Sequence, residues 1–135
     1  MQPTLRMTHL VVGAMALVAF LVTGMLMNGH EPPVVEMDWD RRLLFNSRHI
    51  YLMAAGLVNL ALGVHYALPA TRVRHAAAVV GSLLALVSTV MLFFAFFAEP
   101  MAGRSPGGLS GYGLFALFGG VLLYALASLG RREAS

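Results

Sequence analysis

Four long apolar stretches separate the polar positions of this chain, over about 7–27, 49–68, 76–98 and 111–129. A helix needs roughly 20 apolar residues to cross the ~30 Å hydrocarbon core of a bilayer, and each stretch reaches that length or comes close. The pattern predicts an all-α, integral-membrane four-helix bundle that forms one transmembrane domain over 1–135. The loop at 28–48 holds "VVEMDWDRRLLF", with Glu36, Asp38 and Asp40 set around Trp39 and two leucines after. That mixture is expected to lie at the membrane surface, Trp39 among the headgroups and the charges in water. Proline, which cannot continue a helical ladder, punctuates the exits: Pro32 and Pro33, Pro69, and Pro100. "GRSPGGLSG", 103–111, reads as a flexible turn into the fourth helix.

Composition agrees with this pattern. The chain is 59% hydrophobic and 11% charged, where a soluble domain carries roughly 25% charged residues. The charges fall between the apolar stretches, and the nine basic residues are all arginine. Arginines scattered at helix ends suit anchoring beside lipid headgroups, and with no basic stripe no nucleic-acid partner is expected. The absence of cysteine excludes disulfides, thiolate metal sites and cysteine nucleophiles together. The first stretch exceeds the ~7–15 residues of a signal-peptide core and is read as a retained helix. With the N-terminus inside, five arginines (Arg6, Arg72, Arg74, Arg131, Arg132) face the cytoplasm and four (Arg41, Arg42, Arg48, Arg104) face outward. Basic excess marks the cytoplasmic side, so both termini are expected inside, in a bacterial inner membrane.

The sequence also echoes itself. "GLVNLALGV" at 56–64 returns as "GLFALFGGV" at 113–121, and Arg6, Gly13 and Glu31-Pro32 align with Arg74, Gly81 and Glu99-Pro100. Two parallel helical-hairpin repeats would produce such a pattern. Within lipid, helices associate where small residues let backbones approach. Gly13, Gly56, Gly63, Gly81, Gly113 and Gly120 are therefore expected on packing seams. Asn59, the most polar side chain deep in a stretch, is expected to bond a neighbouring helix.

No Asp, Glu or Arg falls in the middle of a predicted helix, which argues against a transporter built around a membrane carboxylate. The histidines are the one constellation. His9 and His75 point along seams at similar depth, a geometry that a bis-histidine b-type haem would use. His49 faces inward near the other end, beside Arg48, whose fork would suit a propionate or phosphate. His30, Glu31, Glu36, Asp38 and Asp40 offer metal donors without a recognisable spacing. The charged motif of the four-helix glutathione and eicosanoid enzymes is missing, as is the first-helix glutamate of small multidrug exporters. No nucleophile–base pair, phosphate loop or carboxylate pair is evident. The sequence thus points to a non-enzymatic accessory, assembly or scaffold subunit that acts through helix packing with other membrane subunits or its own copies. The alternatives are a haem-b, quinone-linked electron carrier and a small-solute transporter or channel.

Overall fold

The apolar stretches become four α-helices in a computed structural model that describes residues 2–102 and 108–129. They are α1 (Gln2–Gly29), α2 (Trp39–His65), α3 (Arg72–Ala102) and α4 (Leu109–Ser128), with a single 3₁₀ turn at Val34–Glu36. The turn expected at 103–111 lies largely outside the described residues, as do Arg104, Arg131 and Arg132. Spatially, α2 and α3 form the centre. α1 packs on α2, α4 packs on α3, and among the described residues the α1 and α4 backbones do not approach one another.

α1, α3 and α4 are each long and apolar enough to cross a membrane. α2 carries Arg48, His49 and Asn59, which lower its apolarity, but it lies alongside α1 over the same depth. Its Gly63 faces Leu10, its Gly56 faces Leu17, and its His49 faces Gly24. The polarity of the bundle is inverted relative to a soluble protein: Phe115 is 82% exposed and Met15 65%, whereas His9, Asn59, Ser82 and Ser88 are fully enclosed. Such a surface is stable against acyl chains and not against water.

Two helix boundaries differ from the sequence expectation. The loop at 28–48 is shorter than expected, because α2 starts at Trp39 rather than near His49. Asp38 stands at its N-cap and Asp40 in its first turn, where acids favour a helix start. Leu44, Phe45, Arg48 and Leu52 then recur at helical spacing and are buried, while Asp40, Arg41 and Asn46 face outward. This amphipathic extension is what the charged positions concealed. At the other boundary, α3 runs through Pro100 to Ala102. A proline so close to a helix end removes only one ladder bond.

Close backbone approach holds each outer helix to its central partner. A Cβ on Gly13 would meet the Gly56 carbonyl at 2.9 Å and the Leu60 amide at 2.8 Å. One on Gly81 would meet the Gly120 carbonyl at 2.5 Å and the Tyr124 amide at 2.8 Å. Backbone atoms cannot move aside, so only glycine fits these crossings. Gly63 likewise lies against the Leu10 amide at 2.9 Å and its side chain, while Gly56 and Gly113 seat the side chains of Leu17 and Leu92. The hairpins share this manner of packing but not its register. Gly13 meets Gly56, whose sequence counterpart is Gly113, yet Gly81 meets Gly120, seven residues or about two turns further on.

Candidate functional site

The buried polar side chains gather in two layers. The first lies toward the end that holds Gln2 and the turn between α2 and α3, and joins three helices. Asn59 on α2 donates through Nδ2 to the Thr89 hydroxyl on α3 at 2.7 Å and to its own Ala55 carbonyl at 2.9 Å. This orientation turns Asn59 Oδ1 to His9 Nδ1 on α1, 2.7 Å away. Nδ1 must then carry the proton, so Nε2 accepts from the Ser82 hydroxyl on α3 at 2.6 Å. The rings of Tyr66 and Tyr124 close this layer, Tyr66 with its centroid 5.6 Å from that of His9.

The second layer lies toward the end that holds Trp39 and Ser110. Arg48 on α2 donates through Nε to Glu99 Oε2 on α3 at 2.6 Å. The same carboxylate accepts the Ser110 backbone N–H at 2.7 Å and the Ser110 hydroxyl at 2.7 Å. Glu99 therefore caps the N-terminus of α4, where the helix dipole favours an anion. Gly108, at that N-cap, leaves room for the carboxylate. Beside the pair, Thr23 gives its proton to the Phe20 carbonyl and so accepts from His49 Nδ1 at 3.0 Å. Phe20 stacks on the His49 ring at 4.1 Å.

Between the layers lie Leu52, Ala55, Leu92 and Ala95, all fully buried. They form an apolar stretch between the layers.

No charge stands in the middle of an apolar stretch, yet the bundle buries a charged pair. Arg48 and Glu99 are 6% and 7% exposed. Each lies at the edge of an apolar stretch, so a scan for charges in mid-stretch passes over both. Pairing makes their burial tolerable, since an isolated charge in a bilayer is costly. Arg48 is thus committed to Glu99, with Nη1 on Ser47, and is not a free fork beside His49.

The two histidines of the haem reading have other partners. Both ring nitrogens of His9 are bonded within the bundle, while His75 faces the Pro69 carbonyl at 3.4 Å in the inter-helix turn. His49 bonds Thr23 through Nδ1. Among the described residues no three of His, Asp and Glu assemble as metal donors, and His30 bonds the Pro32 carbonyl.

Ser82, His9 and Asn59 stand at the spacings of a nucleophile, a base and its orienting group, an arrangement that sequence reasoning missed. All three are fully enclosed, and none borders the cavities described below. The relay ties α1, α2 and α3 together. The polar cavity is elsewhere: about 430 Å³ at the Trp39 end, bordered by Gly24, Asn28, Trp39, Arg42 and Asn46. Two shallow apolar grooves run between α1 and α3 past Met15, Ala19 and Phe93. The chain matches no family model, no curated protein and no solved structure.

Proposed function

We propose that this chain is a non-enzymatic multi-pass membrane subunit that acts through association, as an accessory or assembly component for other membrane proteins or for copies of itself. The observation that carries this reading is the self-bonded interior. Both polar layers tie helices to one another, and the stretch between them, around Leu52, Ala55 and Leu92, is apolar. A structure so committed internally works through its outer surface. The arginine distribution supports an inner membrane placement with both termini cytoplasmic. The test is purification in a mild detergent from its native membrane at native expression. A stable complex, with a partner or as a homo-oligomer, is the expected result. Isolation solely as a free monomer overturns the reading, and a Soret band in that sample would restore the haem alternative.

A further inference from the structure

We propose that the cavity at the Trp39 end binds the phosphate group of an anionic phospholipid. The cavity measures about 430 Å³, within the ~300–1,000 Å³ usual for small-ligand sites. Its floor is Gly24 and Met27 of α1, its apolar walls are Val34, Val35 and Leu43, and its polar side chains are Asn28, Arg42 and Asn46.

Arg42 decides the ligand's charge. Four acids, Glu31, Glu36, Asp38 and Asp40, lie near it in sequence, yet the sole ion pair among the described residues is Arg48–Glu99. Arg42 instead stretches across the cavity wall. Its Nη1 reaches the Val35 carbonyl at a long 3.4 Å, and its guanidinium carbon stands 5.1 Å from the centre of the Trp39 ring. The remaining guanidinium donors meet no acceptor among the described residues. A planar cation held by an aromatic face, its donors free and two amides alongside, suits a phosphate.

Depth decides the source. The 28 residues of α1 make a rod about 42 Å long at ~1.5 Å per residue, longer than the ~30 Å hydrocarbon core. Asn28 falls just beyond the apolar stretch that ends at Met27, at the level of headgroups, and Trp39 is the residue type that settles there. The apolar walls would take the glycerol and the first methylenes of the same lipid. This inference rests on the membrane placement of the helices and not on the association reading, so either can fail alone.

Trp39 is the chain's one tryptophan, so its emission reports on this cavity. The full chain is placed in phosphatidylcholine nanodiscs with rising phosphatidylglycerol. A saturable change is expected, with its midpoint moved roughly tenfold or lost in Arg42→Gln and unmoved in Arg41→Gln, whose side chain is exposed and lies off the cavity. Equal effects of the two substitutions, or a response that never saturates, overturn the site in favour of general surface attraction. Inorganic phosphate added to pure phosphatidylcholine discs is the second arm. Silence there supports the lipid, whereas saturation by phosphate alone assigns the cavity to a soluble anion and overturns it. Asn46→Leu, at an exposed wall position, is expected to weaken retention of phosphatidylglycerol in native mass spectrometry; unchanged retention also counts against the site.

Discussion

Near the termini, four neutral side chains from three helices complete one another's hydrogen bonds. Near Trp39, a full positive and a full negative charge from two helices do the same with the amino end of a third. The neutral layer binds α1 to α2 and α3 through His9, Asn59, Ser82 and Thr89. The charged layer binds α4 to α2 and α3 through Arg48, Glu99 and Ser110. Each layer is thus the main polar fastening of one outer helix. His49 also bonds Thr23 of α1 at the charged end, and the Tyr124 hydroxyl of α4 bonds the Ala67 backbone at the neutral end. The difference lies in what remains when one member is lost. A neutral network leaves single donors and acceptors without partners, while an ion pair leaves a whole charge in a medium that cannot solvate it.

The largest effect should follow from Glu99→Gln. Arg48 would keep its place among apolar neighbours without a counter-charge, and the expected loss is about 3 kcal/mol or more, read from reversible unfolding in mixed detergent micelles. Arg48→Gln combined with Glu99→Gln should recover at least half of that loss. No net charge is then buried, and an amide oxygen still accepts from Ser110. If the double variant is as unstable as the single, the carboxylate's value lies in capping α4, and the charged layer is no more an ion pair than the neutral one.

A smaller effect is expected from Asn59→Leu. It removes two cross-helix hydrogen bonds, to His9 and to Thr89. Such bonds average about 0.6 kcal/mol each between membrane helices, so the same unfolding measurement should show a loss of about 1–2 kcal/mol. A loss as large as that of Glu99→Gln would erase the distinction between the layers. It would mean that the His9 imidazole, once unpaired, is as poorly tolerated as a bare guanidinium.

The sequence made the four helices legible because lipid demands long apolar runs, and it made Asn59 legible because a lone amide inside such a run needs a partner. What stayed hidden was pairing between helices. Periodicity places residues on a face but does not set the height of one helix against another. Once Asn59 stands level with Thr89, antiparallel packing carries Arg48, eleven residues before Asn59, opposite Glu99, ten after Thr89. "DWDRRLLFNSR" interrupts the hydrophobic run and reads as loop around Arg48, although its buried positions keep helical spacing. Seams were legible at Gly13 and Gly81, but the register between hairpins was not, since a shift of about two turns leaves the glycines on the same face.

The smallest effect, from Tyr66→Phe, probes whether the neutral layer is complete as drawn. The Tyr66 hydroxyl is buried and makes no well-formed hydrogen bond, with the Ser82 hydroxyl nearby, while its ring packs against His9 and Tyr124. A buried hydroxyl without a well-formed bond disfavours the folded state, so its removal should leave stability within about 0.5 kcal/mol or raise it slightly. The ring, and with it the packing on His9, is retained. A loss of more than about 1 kcal/mol would require that the hydroxyl has an acceptor after all, through an ordered water shared with the neighbouring polar groups. The neutral layer would then extend one residue further toward the termini and take in the end of α2. Its contrast with the charged layer would narrow, because both would fasten a helix terminus as well as a helix face.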